Sequence, residues 1–142
     1  MTRDRKMVLD HIGIAVASLA EAVAFYEGAL GLSVSGYETI AQEKTKVAMI
    51  PVGESRIELL EATEPDSPIA RFIAKRGPGL HHISLRVPNL EDAVFRLQES
   101  GVKLISQEPR VGAGGHRYAF IHPSSAGGVL LELVESSEPR LS

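Results

Sequence analysis

The sequence contains no cysteine. That excludes disulfides and thiolate metal sites, and is compatible with a cytoplasmic location. No apolar run approaches the length of a membrane span. The start, MTRDRKMVLDH, is charged and lacks the apolar stretch of a signal peptide, so no membrane association is expected. No single sign of charge dominates either. There are 15 Lys and Arg against 18 Asp and Glu, giving a net charge of -3. With both signs scattered and no basic stripe, nucleic acid is excluded as a main partner. What remains is a chain of 142 residues with an ordinary 44% hydrophobic content. That length suits a single domain able to bury about two thirds of its unfolded surface.

An internal repeat organises the chain. DHIGIAVASLAEAVAFYEGALGLSV, residues 10–34, parallels HHISLRVPNLEDAVFRLQESGVKL, residues 81–104. With His11 set on His82, Ile12 meets Ile83, Val16 meets Val87 and Leu19 meets Leu90. Ser18 with Glu21 forms a capping-box pattern. Leu19, Ala22, Val23, Tyr26 and Leu30 follow at helical spacing. Asn89 caps the second helix, whose stripe is Leu90, Ala93, Val94 and Leu97. Gly31 and Gly101 stand where a left-handed helix stop is wanted.

Three strand-like runs follow each helix, at about 33–40, 46–52 and 56–62, then about 102–107, 117–122 and 129–134. The unit is βαβββ, used twice. The reading is one domain: a first module over about 8–62, a linker over about 63–79, a second module over about 80–135, and a frayed tail at 136–142. Ser67-Pro68 signals a short linker helix over Ile69–Lys75. VGAGGHRY reads as a plain hairpin turn, and His122-Pro123 as a strand end.

Alternation sorts each strand into two faces. Ile12, Ile14 and Val16 oppose His11, Gly13 and Ala15; Ile83, Leu85 and Val87 oppose His82, Ser84 and Arg86. The apolar faces must meet the helices, so His11 and His82 look away from them. His81 then points the other way or caps the strand edge. In RIELLEA, Glu58 opposes Ile57 and Leu59; in VLLELVE, Glu132 opposes Leu131 and Leu133. Two histidines and two glutamates thus hold repeat-equivalent places. If each first strand neighbours its own last strand, the two copies gather all four on one concave surface. Such a nitrogen and oxygen set suits Zn, Co, Ni, Mn or Fe(II) better than Ca, with open positions for catalysis. Any one of these residues alone reads more simply as a structural histidine or a solvated glutamate; their shared pattern favours the metal.

At these residues the chain resembles the vicinal oxygen chelate superfamily, and within it the methylmalonyl-CoA epimerase (racemase) family. The resemblance rests on DHIGIAV, FYEGALGL, IELLEA, DSPIARFIAKRGPGLHHISLRV, QEPRVGAGG, FIHP and GGVLLELVE, covering residues 9 to about 135. It implies an α+β fold, in which two tandem βαβββ modules form a curved, mostly antiparallel half-barrel sheet with helices outside. It implies metal ligands at His11, Glu58, His82 and Glu132, and one divalent ion per site: Co, Mn, Zn, Ni or Mg. The implied reaction inverts C2 of a methylmalonyl thioester through an enolate, using two bases on opposite faces. The implied partners are an acyl-CoA substrate and a second copy of the chain, as a homodimer.

The resemblance gives Glu132 a role as both ligand and base, with Glu58 or Glu43 serving the other face. Two departures stand out. Some members carry Gln where Glu58 stands, which here adds a negative charge. Some carry a base near the start of the third strand, where this chain has Lys46, with Glu43 three residues before. Lys46 would need a lowered pKa to act and reads better as an exposed strand lysine. Arg71, Lys75 and Arg76 could meet CoA phosphates, but read better as a solvated helix face. The rival readings are a glyoxalase I-type lyase acting on a glutathione hemithioacetal, a metal-free drug-sequestering protein, and an extradiol dioxygenase, which an acid as fourth ligand disfavours.

Overall fold

The computed structural model describes residues 7–106, 108–112 and 115–135. The tail at 136–142, and Ala113 and Gly114 of the glycine loop, lie outside the described residues. The chain divides into two compact units, His11–His81 and a second comprising residues up to Asp10 with those from His82 onward. The strand β1, Val8–Ala15, opens the order. Then come α1 (Leu19–Val23), β2 (Gly36–Ile40), β3 (Thr45–Val52), β4 (Ser55–Ala62) and α2 (Pro68–Arg76). They are followed by β5 (Gly79–Val87), α3 (Leu90–Glu99), β6 (Arg110–Val111), β7 (Arg117–Ile121) and β8 (Leu131–Glu135). The α+β class and the twofold use of βαβββ are as expected.

In the first unit the strands lie in the order β2-β3-β4-β1. β2, β3 and β4 are antiparallel neighbours, and β1 runs parallel to β4. One face packs on α1: Leu19, Ala48, Ile50 and Leu59 form a buried cluster with Ile14, Val16, Ala22 and Val23 around it. The opposite face is partly covered by α2. There Ala15, Val47, Leu60 and Ile69 are buried, with Phe72 and Ile73 against them. α2 begins at Ser67, whose Oγ accepts from the Ile69 amide at 3.0 Å while fully buried.

The second unit repeats the plan in the order β5-β8-β7-β6. β5 and β8 are parallel; β8, β7 and β6 are antiparallel. α3, capped by Asn89 Oδ1 on the Asp92 amide, supplies Leu90, Ala93 and Val94 to a core with Val87, Ala119, Ile121 and Leu133. The helix stops are the expected left-handed glycines, Gly31 at φ 88° and Gly101 at φ 81°.

Two elements differ from the sequence reading. The first helix is α-helical only to Val23 and continues as a π-helical turn over Ala24–Ala29. The Leu30 amide donates to the Phe25 carbonyl, and that of Leu32 to Tyr26. The wider turn keeps Tyr26 on the core but rotates Leu30 off the stripe into solvent. Gly28 weakens regular helix here, and the Glu27 carboxylate accepts from the Val34 amide at 2.7 Å. Among the described residues, the strand expected at 102–107 is reduced to a single bridge between Leu104 and Ile121, with β6 forming only after Pro109. Proline has no amide hydrogen to donate to a ladder, so β6 begins only after it.

Candidate active site

In each unit the candidate side chains come from the two parallel strands, the first and last of the module. Across β1 and β4, His11 is level with Arg56, Gly13 with Glu58 and Ala15 with Leu60. Alternation puts all six on one face. Ala15 and Leu60 are the part of that face that α2 covers. His11 and Glu58 lie further along it, and each is about 5% exposed. Gly13 presents no side chain beside Glu58. His11 Nε2 stands 3.4 Å from Glu58 Oε1. The other carboxylate oxygen, Oε2, accepts from Arg56 Nε at 3.0 Å and lies 2.9 Å from Arg56 Nη2.

Across β5 and β8, Ser84 is level with Glu132, and β7 brings Phe120 level with Glu132 from the other side. His82 and Glu132 are both buried, with His82 Nε2 3.5 Å from Glu132 Oε1. The His82 ring meets Phe120 edge-on at 5.7 Å, which fixes its plane. Ser84 is wholly buried, and its Oγ has no hydrogen-bond partner among the described residues.

The adjacent histidines part company as alternation requires. His82 faces Glu132. His81 packs edge-on against Phe72 of α2 at 4.8 Å. Burial, with the nearby Arg76 charge second, pushes His81 down to about 4, so its ring is neutral at pH 7.

Both His–Glu pairs fit a divalent ion by chemistry and by spacing. The separations of 3.4 and 3.5 Å exceed an ordinary charge-assisted hydrogen bond, about 2.7–2.9 Å. They approach the ligand–ligand edge of a coordination shell with bonds of about 2.1 Å, roughly 3.0 Å if octahedral and 3.4 Å if tetrahedral. Imidazole nitrogen with carboxylate oxygen is a donor set for first-row metals.

The remaining candidates stand apart from these pairs. Glu43 ends a 3-10 turn, Ala41–Glu43, immediately before β3. The β3 partner of Glu58 is Met49, four residues on from Thr45, or roughly 13 Å of strand. Lys46 is an exposed strand lysine over the Tyr37 ring, 5.6 Å from its centroid. Arg71 Nη1 bonds the Asp66 carbonyl at 2.6 Å, and Arg76 lies over Phe72. The residue that sequence reasoning missed is Arg56. Its signal was present, since a cation two positions from Glu58 on a strand shares its face.

The model of the Glyoxalase/Bleomycin resistance protein/Dioxygenase superfamily matches residues 10–120. The chain is 44% identical over 127 residues to the uncharacterized protein YqjC of Bacillus subtilis, covering 89% of this chain and 91% of that one. It is 38% identical over 129 residues to human mitochondrial methylmalonyl-CoA epimerase, covering 90% and 73%. A solved methylmalonyl-CoA epimerase in complex with methylmalonyl-CoA and NH4+ superposes with a TM-score of 0.88 at 35% identity, covering 92% of this chain and 95% of that one.

Proposed function

Because the chain belongs to the Glyoxalase/Bleomycin resistance protein/Dioxygenase superfamily, and within it to the methylmalonyl-CoA epimerases, we propose that it inverts C2 of methylmalonyl-CoA with the help of one divalent ion. The observation that carries this reading is the pair of buried His–Glu couples at repeat-equivalent positions, His11–Glu58 and His82–Glu132. We assign His11, His82 and Glu132 as ligands, with Glu58 as the fourth.

The hydrogen at C2 lies between a thioester and a carboxylate and is weakly acidic. When bound, the ion supplies Lewis-acid stabilisation of the negative charge that develops on the thioester oxygen. Glu132 removes the C2 proton from one face. A second base, Glu43 or Glu58, returns a proton to the opposite face, and the roles exchange in the reverse direction. Glu58 lies within the site with one oxygen held by Arg56, whereas Glu43 precedes β3, at a distance along the strand from Met49, the partner of Glu58. Each base contributes on the order of 10²- to 10⁴-fold. Burial of both His–Glu pairs excludes water and strengthens every charge interaction within them. The working form is proposed to be a cytoplasmic homodimer, which light scattering would check. Among the described residues no helix is long and apolar enough to cross a membrane.

The test is incubation of protein and substrate thioester in heavy water, with and without a chelator. Deuterium entry at C2 that chelation abolishes is the expected result. Absence of exchange in metal-loaded protein would remove the reading.

A further inference from the structure

We propose that Arg56 is a positioning residue that separates the roles of the two glutamates, tying Glu58 as a charge-neutralised oxygen donor and so leaving proton transfer to Glu132. The proposal rests on the epimerase reading but concerns a residue to which that reading gives no part.

Three observations carry it. Glu58 is 4% exposed, so its carboxylate needs a compensating charge within reach. Arg56 provides one, directing both Nε and Nη2 at the same oxygen, Oε2. This leaves Oε1 as the oxygen on the His11 side, 3.4 Å from Nε2. The carboxylate is divided: one oxygen serves the guanidinium and the other the site. A carboxylate so held has one oxygen committed to a charge-assisted bond and only the other to offer the site.

The third observation is that the repeat breaks here. At the offset that relates Glu58 to Glu132, the counterpart of Arg56 is Leu130. Gly13, level with Glu58, corresponds to Ser84, level with Glu132. Two acids related by duplication therefore have different neighbours. One lies beside a cation and a missing side chain, the other beside a leucine position and a buried hydroxyl. Such divergence at otherwise matching places is what different tasks for the two carboxylates require.

Charge arithmetic gives the test. Arg56 with Glu58 adds no net charge to the site. Arg56→Met leaves one negative charge, Glu58→Gln leaves one positive charge, and the double variant restores neutrality with an oxygen donor in place. Cobalt or manganese affinity, measured by isothermal titration, should be tightest in R56M and weakest in E58Q, with wild type and the double variant between them. Each step is expected to be about tenfold. Turnover should fall in R56M and recover when Glu58→Gln is added. Arg56→Lys keeps the charge, and should hold metal affinity within about threefold of wild type.

Because Arg56 is partly exposed, these variants are expected to fold. If R56M does not, the comparison of E58Q and R56K with wild type decides alone. Unchanged affinity in E58Q, or weaker affinity in R56M, would overturn the role of Arg56 while leaving the epimerase reading intact. Wild-type protein that neither binds the ion nor exchanges C2 hydrogen would overturn both.

Discussion

Glu58 and Glu132 differ in the residue two positions upstream, Arg56 in one case and Leu130 in the other, and the proposal gives them different tasks on that ground. With Leu130 rather than Arg56 at that place, Glu132 is the acid assigned to take the proton. Glu132→Gln keeps an oxygen for the ion but cannot accept a proton. It should lower kcat about 10²- to 10⁴-fold with little loss of bound metal. Equal kcat in the two proteins would contradict the assignment. His81 carries a separate prediction. Its folded value is about 4 against 6.5 unfolded, so the unfolded chain binds the extra proton between those limits. Stability is therefore full above about pH 6.5 and declines as pH falls toward 4, by on the order of 1–2 kcal/mol for a partly exposed ring. His81→Phe keeps the contact with Phe72 and removes the titration. Urea unfolding of metal-free protein at pH 7 and pH 5 should show a smaller loss in the variant; equal losses would refute the burial account. The orientation of the two histidines was readable because strand alternation is strict. Arg56 was passed over because a strand arginine reads as solvated unless its same-face neighbour at i+2 is checked.

The elements followed the sequence where local signals agreed and departed where one residue overrode the pattern. Ser67 and Asn89 cap the helices they were expected to cap. Ser67 is fully buried, so Ser67→Ala would leave the Ile69 amide without its acceptor. A loss of about 1–2 kcal/mol is expected, seen as a lower urea midpoint at unchanged slope. An unchanged midpoint would show that α2 does not depend on this cap. The π-helical turn after Val23 was not readable, because the spacing of Tyr26 and Leu30 suits a regular helix; the hydrogen bond from Val34 to Glu27 arises only after folding. The strand expected at 102–107 was read from the apolar pattern of VKLIS, which among the described residues pairs only through the bridge between Leu104 and Ile121. Gly112 shows a constraint visible only in three dimensions. A Cβ there would come within 2.9 Å of the Tyr118 ring, so this turn position requires glycine.

At the scale of the whole chain, duplication made both architecture and chemistry readable from one sequence. A βαβββ unit that places a histidine and a glutamate on one strand pair offers the same places again when it is repeated. This is why His11 with Glu58, and His82 with Glu132, could be placed at repeat-equivalent positions from the sequence alone. The linker helix α2 carries part of what the repeat cannot predict, since it covers one sheet face of the first unit and closes around Ala15 and Leu60. The central claim is that the two His–Glu pairs serve one ion rather than two. Counting bound cobalt per chain by native mass spectrometry, in wild type and in His11→Ala and His82→Ala, tests it directly. One ion per wild-type chain, lost in either variant, is the result predicted. Two ions per chain, or one ion retained when either histidine is removed, would contradict it.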